Sequence, residues 1–167
     1  MTQVPASALE GFVQPAEGLH AGDRIHATDL PALSAENVRH VIDLTPDEET
    51  PDFDEAAAVR AAGLRYDNLP ISGPDDLTVA NVIAFDRLLE GREGTTLVHC
   101  ASGNRVGALV ALRAAWLHGA DDQSAVEEGR RWGLRGLEGE VRKRLDRQRC
   151  LALAADADAQ ARCGTGI

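Results

Sequence analysis

A loop of six residues, Cys100 to Arg105 (CASGNR), contains the side chains best suited to chemistry in this chain. An apolar run precedes it and an Ala- and Leu-rich stretch follows, so the loop is expected between a buried strand and a helix. Successive backbone N–H groups in such a loop can point at one centre, and the helix N-terminus adds donors and partial positive charge. Arg105 adds a planar fork for two oxygens of a phosphate or sulfate. The loop is therefore predicted to bind such an anion.

Cys100, at the start of this loop, is the candidate nucleophile. The positive field of the loop favours the thiolate, which is the reactive form of cysteine, and a thiolate facing a bound phosphate can attack phosphorus and form a covalent intermediate. Gly103 permits a backbone conformation that is closed to other residues. A lone cysteine at a strand end is usually structural. Here strand, cysteine, glycine, arginine and helix occur together, which favours a catalytic role.

The other histidines and cysteines give no sign of a second centre. His99 points to the opposite face of the strand from Cys100, so we expect a buried histidine that hydrogen-bonds the loop and is not a catalytic base. The chain has three cysteines, and this odd, widely spaced set argues against a disulfide framework. Cys150 and Cys163 are expected to be incidental. The histidines have no convincing ligand spacing, so neither a metal nor another cofactor is expected.

Strand and helix patterns alternate along the chain, which predicts an α/β fold with a mainly parallel central sheet flanked by helices. In such folds the site lies beyond the carboxyl ends of the strands, where loops 45–54, 70–77 and 100–104 should meet. An irregular lead-in is expected at 1–18, followed by a short helix, capped by Thr28, to about residue 33. The predicted strands are 38–44, 64–69 and 95–99. The predicted helices are 55–62, 79–90 capped by Thr78, 105–118, a helix to 132 capped by Asp121 or Asp122, and 137–151.

Composition and charge narrow the class of protein. The 167 residues suit one domain, 1–167, with its core at about 12–149 and a tail, 152–167, that is expected to fray. The whole chain has a net charge of −10, and its acidic residues are concentrated in residues 1–100, which contain 18 Asp/Glu and 6 Lys/Arg. This negative charge argues against a nucleic-acid partner. No apolar run is long enough for a membrane span, and the N-terminus does not resemble a signal peptide. A cytoplasmic protein with no membrane partner is expected.

Three segments, VRHVIDLTPDEE, GLRYDNLPISGPDDL and LVHCASGNRVGAL, resemble the cysteine-dependent phosphatases of the dual-specificity/tyrosine phosphatase superfamily. More narrowly, the chain resembles the bacterial phosphatase-like domain named after beta-lactamase hydrolase-like proteins, over about residues 12–149. The resemblance implies a phosphatase-like domain that hydrolyses phosphate monoesters of a protein or small molecule. Cys100 would be the nucleophile and Arg105 the phosphate clamp. The N–H cradle would comprise Ala101, Ser102, Gly103, Asn104 and Arg105.

Two departures from the superfamily pattern keep other functions open. Four residues separate Cys100 from Arg105, where the superfamily usually has five, and Val106 stands where a Ser or Thr often helps the thiolate leave. One alternative is a rhodanese-like sulfurtransferase, whose loop also has four residues there and in which Cys100 would carry a persulfide. Another is a non-catalytic phosphate-binding pseudophosphatase. The basic stretch 130–149 could be a partner surface, but its interleaved acids favour a solvated helix face.

The resemblance also implies a general acid on the loop after the second strand, 70–77. That loop offers Asp75 and Asp76, and Asp76 is chosen because Pro74 and Asp75 resemble a turn that aims the next side chain. Either acid could instead favour the start of the helix after Thr78, since acidic residues stabilise helix N-termini. A proton donor near the leaving oxygen would speed the reaction about 10²–10⁴-fold.

Overall fold

The central sheet has five strands in the order β1-β2-β5-β3-β4. It is seen in a computed structural model that describes residues 7–153 and 157–163. β1 pairs antiparallel with β2, and all other neighbours are parallel, which confirms the predicted α/β fold with a mainly parallel sheet. The strands are β1 Val13–Ala16, β2 Leu19–Gly22, β3 Val38–Asp43, β4 Arg65–Asn68 and β5 Thr95–His99.

Helices follow most strands, close to their predicted positions. They are α1 Leu30–Ala35, α2 Glu55–Ala61, α3 Val79–Glu90, α4 Asn104–His118, α5 Asp122–Trp132, α6 Glu138–Leu153 and α7 Ala157–Ala161. Thr78 caps α3 as expected, since its hydroxyl accepts from the Asn81 N–H at 3.1 Å. Asp121, and not Asp122, caps α5 by accepting from the Ser124 N–H at 2.8 Å.

The N-terminal region departs from the prediction. A hairpin of β1 and β2 occupies residues 13–22, where an irregular lead-in was expected, and Gly18 supplies the positive φ (+72°) of its turn. β2 is parallel to β5 and so becomes part of the sheet. Thr28 does not cap a helix, because it lies inside a 3-10 turn, Ala27–Asp29, that leads into α1. Strands of four residues with Gly, His and Pro carry too little apolar alternation to be recognised in advance.

Two apolar layers cover the sheet. Ile42 and Val98 pack with residues of α3, α4, α5 and α6, while Val41 and Leu97 pack on the other face with residues of α1 and α2. This alternation along β3 and β5 is that of strands buried on both sides. α4 is the most enclosed helix, with every residue from Val106 to Leu112 buried. The loop before α4 is therefore held between a central strand and a central helix.

Cys150 and Cys163 form a disulfide that joins the end of α6 to the residues after α7, so the expectation that they are incidental was wrong. The odd number of cysteines was misleading, because Cys100 is the free cysteine and the other two form the pair. Residues 152 and 153 continue α6, and the rest of the tail expected to fray lies partly outside the described residues, at 154–156 and 164–167. Within the described ranges, no helix combines the length and apolarity that crossing a bilayer requires.

Candidate active site

The loop from Cys100 to Arg105 lies at the carboxyl end of β5 and leads into α4. Cys100 is fully buried, and its Sγ accepts a hydrogen bond from the Gly103 N–H at 3.0 Å. Gly103 has φ +82° and is the N-cap of α4. A Cβ there would strain the backbone, so glycine lets the loop fold back onto the sulfur. The predicted placement of the sulfur beside a helix N-terminus is what the chain adopts.

The outer side of the loop is held by hydrogen bonds from its surroundings. The Ser102 carbonyl accepts from Arg135 Nη2, and Asn104 Oδ1 accepts from the N–H groups of Arg135 (2.9 Å) and Leu137 (3.2 Å). In a trans peptide the carbonyl and the following N–H point in opposite directions. The Ser102 carbonyl faces outward, so the Gly103 N–H that follows it faces the Cys100 sulfur.

Close backbone contacts fix the loop against α5. Gly107 in α4 packs directly on the chain at Gly129 and Leu134, and a Cβ on Gly107 would lie 2.1 Å from the Leu134 nitrogen. Gly133 packs on Gly103, where a Cβ would lie 2.8 Å from the Gly103 carbonyl oxygen. Glycine at these positions lets α5 and the segment after it pack directly against α4 and against the loop at Gly103.

Arg105 is held by two other loops. Its Nη1 donates to Glu49 Oε1 and to the Ile71 carbonyl, both at 2.7 Å, and its Nη2 donates to Glu49 Oε2 at 2.9 Å. The hydrogen bonds to Glu49, with a further contribution from the neighbouring Cys100 side chain, raise the pKa of Arg105. The Arg105 hydrogen bonds also lower the pKa of Glu49. The predicted meeting of loops 45–54, 70–77 and 100–104 is confirmed, and it takes place at this guanidinium.

The two candidate general acids are on the loop that contributes Ile71. Asp76 Oδ2 accepts from the Ser72 N–H at 2.7 Å, within its own loop, while Asp75 is exposed. Buried Arg144 of α6 donates to the carbonyls of Pro74 (2.5 Å) and Leu77 (3.2 Å) and so fixes this loop. The Asp76 carboxylate is thus held within its own loop, and its role as the acid stays a prediction.

His99 belongs to a buried network on the opposite side of β5 from Cys100. Its Nε2 lies 2.7 Å from Glu55 Oε2 and 3.6 Å from Asp43 Oδ1, and its Nδ1 lies 3.4 Å from the Cys100 carbonyl oxygen. Burial would lower the pKa of His99, but the two carboxylates outweigh burial and raise it. Burial raises the pKa of Glu55. The expectation of a buried histidine beside the loop is confirmed.

The ligand-type atoms of Asp43, Glu55 and His99 lie within 4.8 Å of one another, so a cation must be considered. Each of them already has hydrogen-bond partners. Asp43 accepts from the Tyr66 hydroxyl (2.7 Å) and from Thr45 (2.6 and 2.8 Å), and Glu55 is paired with His99. A metal could bind only by displacing these bonds. The arrangement is that of a satisfied hydrogen-bond network that fixes the ends of β3 and β5.

Three residues of the site, Glu49, Glu55 and Arg135, were not predicted from the sequence. Loop 45–54, which is rich in acidic residues, was predicted at the correct edge of the sheet, but nothing in its composition distinguishes Glu49 from Asp47 and Glu48. Two cavities, of about 430 and 300 Å³, open beside this loop, and both are lined by Thr50, Pro51 and Phe53. The smaller cavity also contacts Arg24 and Glu49, so it lies next to the Arg105 guanidinium.

Comparison with known proteins supports the relation suggested by the motifs. The family model described as beta-lactamase hydrolase-like protein, phosphatase-like domain matches residues 12–116. The beta-lactamase hydrolase-like protein of Agrobacterium fabrum is 36% identical over 104 residues, covering 60% of this chain and 24% of the relative. Its namesake from Xylella fastidiosa is 44% identical over 78 residues, covering 44% of this chain and 18% of the relative. The chain therefore spans a quarter or less of the length of these curated relatives.

Solved structures share the fold at low sequence identity. The crystal structure of P. aeruginosa TpbA in complex with pTyr has a TM-score of 0.63 and 22% identity, and the match covers 98% of this chain and 96% of that one. A structure of kinase associated phosphatase has a TM-score of 0.62 and 14% identity, covering 88% and 96%. These matches confirm the predicted cysteine-phosphatase-like fold.

Proposed function

The chain belongs to the family of beta-lactamase hydrolase-like protein phosphatase-like domains, and from this premise we propose that it is a cysteine-dependent phosphatase acting on phosphate monoesters. The observation that carries the proposal is the hydrogen bond from the Gly103 N–H to the buried Cys100 sulfur at the N-terminus of α4. A helix N-terminus and inward N–H groups stabilise negative charge. They would therefore stabilise the thiolate before reaction and the phosphoryl oxygens during it.

The reaction would proceed in two displacements. Cys100 Sγ attacks phosphorus and forms an S–P bond as the P–O bond to the leaving group breaks, and Asp76 gives its proton to the departing oxygen. Water then attacks the phosphocysteine and passes a proton to the Asp76 carboxylate as the S–P bond breaks. Inorganic phosphate and the Cys100 thiolate are the products. Arg105 and the loop N–H groups would hold the three peripheral oxygens throughout.

The substrate class is the finer part of the proposal. TpbA, which shares the fold, was crystallised with pTyr, and by analogy we include phosphotyrosine-type aryl phosphates, as for tyrosine and dual-specificity phosphatases. A single domain, 1–167, and a cytoplasmic location are retained as proposals. The chain matches only part of the length of the curated relatives, so the proposal concerns this domain alone.

A rhodanese-like sulfurtransferase is the second candidate. Four residues separate Cys100 from Arg105, so the cradle has one N–H group fewer than the usual phosphatase loop. In place of the Ser or Thr that helps a thiolate leave, the chain has Val106, which is fully buried. In this reaction Cys100 would take the outer sulfur of thiosulfate, release sulfite, and pass that sulfur from its persulfide to cyanide. Without either turnover the domain would be a phosphate-binding pseudophosphatase.

The test is to assay wild type and Cys100→Ser on 4-nitrophenyl phosphate, and on thiosulfate with cyanide, with and without a chelator. The proposal expects slow phosphate release by wild type, unchanged by the chelator, and none by the variant. Serine is not ionised in the field that favours the thiolate. Thiocyanate formation without phosphatase activity would assign the sulfurtransferase. Undiminished phosphatase activity in Cys100→Ser would refute both candidates.

A further inference from the structure

The hydrogen bonds of Arg105 leave one side of its guanidinium free. Arginine has five N–H donors, and three of them are used by the two Glu49 oxygens and the Ile71 carbonyl, at 2.7–2.9 Å. Within the described residues, the Nε–H and one Nη2–H donate to no nitrogen or oxygen atom. These two donors form the edge that commonly binds two oxygens of one anion. Cys100 also acts on Arg105 as a hydrogen-bonding and electrostatic partner, so Arg105 lies beside the sulfur, and this edge is the part of the guanidinium left for an oxyanion bound there.

Glu49 itself is held in a defined position. It ends the 3-10 turn Asp47–Glu49 and accepts a further, longer hydrogen bond from Arg24 Nη2 at 3.3 Å. Arg24 follows Asp23, which forms a β-bridge with Ser102 of the loop. The side chain of Glu49 is 30% exposed, and that of Arg105 is 13% exposed. A partly buried carboxylate between two arginines thus joins the acidic loop 45–54 to the Cys100 loop.

We propose that Glu49 is a positioning residue for this site: it binds the outer side of Arg105 and so orients the free Nε/Nη2 edge toward the oxyanion. Arg24 supports the carboxylate from its other side. Glu49 does not contact the substrate, since its oxygens are repelled by the anion that Arg105 binds. The inference rests on the proposed function only in taking an oxyanion as the ligand, and both phosphatase and sulfurtransferase chemistry supply one.

A competing role for Glu49 predicts that its removal changes oxyanion binding in the opposite direction. If Glu49 occupied donors that the oxyanion itself needs, its carboxylate would have to be displaced on binding, and its removal would strengthen binding. The count of donors favours the positioning role, because the two remaining N–H groups are enough for bidentate recognition. A variant at position 49 therefore distinguishes the two roles by the direction of the change.

The experiment compares Glu49→Gln with Glu48→Gln, a matched control. Glu48 is on the same exposed turn and has no ion pair in the described part of the chain, so both variants lose one negative charge. Binding of inorganic phosphate is measured by calorimetry, and kcat and KM on 4-nitrophenyl phosphate are measured separately. We expect Glu49→Gln to weaken phosphate binding and to lower kcat/KM, each about tenfold, at an unchanged unfolding midpoint. Arg24→Met should have a smaller effect, about two- to threefold, because its contact is longer.

The outcomes separate this inference from the proposed function. Tighter phosphate binding or faster turnover in Glu49→Gln would refute the positioning role, as would values equal to those of Glu48→Gln. If wild type binds phosphate in a Glu49-dependent way but turns over no phosphate ester, the inference stands and the phosphatase proposal fails. If wild type hydrolyses the ester and Glu49→Gln is unaffected, the phosphatase proposal stands and the positioning role of Glu49 fails. A wild type that neither binds phosphate nor turns over refutes both.

Discussion

Replacing Gly107 by alanine should strongly destabilise the protein, although the change adds a single methyl group to a helix. The new Cβ would lie 2.1 Å from the Leu134 nitrogen and 2.6 Å from the Gly129 carbonyl oxygen. Those two atoms are backbone and are hydrogen-bonded to each other at 2.9 Å. They cannot rotate away as a flexible side chain would, so α4 and the end of α5 have to separate.

The size of the effect follows from that geometry. Restoring an ordinary contact of about 3.5 Å requires a backbone shift of roughly 1 Å or more. Overpacking of a core usually costs about 1–3 kcal/mol, and with backbone on both sides we expect a loss of unfolding free energy of about 3 kcal/mol or more. The shift would also reach the site, since Gly133 packs against Gly103. Oxyanion binding should therefore weaken together with stability.

Gly139 provides the control for this prediction. It also lies in a helix, α6, but a Cβ there would meet no atom within 4 Å. Gly139→Ala should leave stability unchanged or raise it by up to about 1 kcal/mol, because alanine restricts the unfolded chain and favours helix. Urea unfolding followed by circular dichroism measures both variants. A Gly107→Ala protein within about 1 kcal/mol of wild type would refute the packing argument.

Three further predictions concern other parts of the molecule. The raised pKa of His99 beside Glu55 gives stability that is fully present below pH 6.5 and is lost as the pH rises through the folded value. The unfolding free energy should therefore fall as the pH rises from 6.5 through the folded pKa of His99, and less steeply in Glu55→Gln; an equal slope in both proteins would contradict this. Asp76→Asn should lower turnover and remove the alkaline fall of its pH profile, with phosphate affinity little changed; normal turnover on a poor leaving group would show that Asp76 is not the acid. Cys163→Ser should lower the unfolding free energy by about 2–3 kcal/mol in non-reducing buffer, because Cys163 is bonded to Cys150 at a sequence separation of 13 and so closes a loop in the unfolded chain. The difference between the variant and wild type should disappear when both are measured with a reductant. A difference that persists would point to packing at Cys163 and not to the disulfide.

The parts of the fold that follow local rules were predictable from the sequence. The apolar run before Cys100 and the Ala/Leu-rich stretch after Arg105 gave β5 and α4 nearly to the residue, because strand, glycine turn and helix start are each encoded by neighbours in the chain. The same holds for Thr78, whose hydroxyl caps α3. The position of the anion loop at the carboxyl end of the sheet then followed from topology.

Long-range pairings were not predictable in this way. Glu49 reaches Arg105 across 56 residues of sequence, and its two acidic neighbours have the same local properties. The pairing of Cys150 with Cys163 depends on where the chain turns after α6, which no local pattern states. The β1–β2 hairpin exists because β2 adds to the edge of β5, so its strands are stabilised by partners far away in sequence.

The acidic loop 45–54 also bears on how fast a substrate can arrive. Glu49 of this loop binds Arg105, and the exposed side chains of Asp47, Glu48, Asp52 and Asp54 lie on the same loop. Under the proposed function, a doubly charged phosphate ester would meet the repulsive field of these carboxylates before it meets the guanidinium. Salt shortens the reach of that field to about 8 Å at physiological ionic strength. Added salt should therefore speed the diffusional encounter with a dianion, whereas an enzyme that steers its substrate by attraction is slowed. Under the proposed function, the acidic loop would therefore slow the arrival of highly charged esters and favour those whose other charges are few or positive.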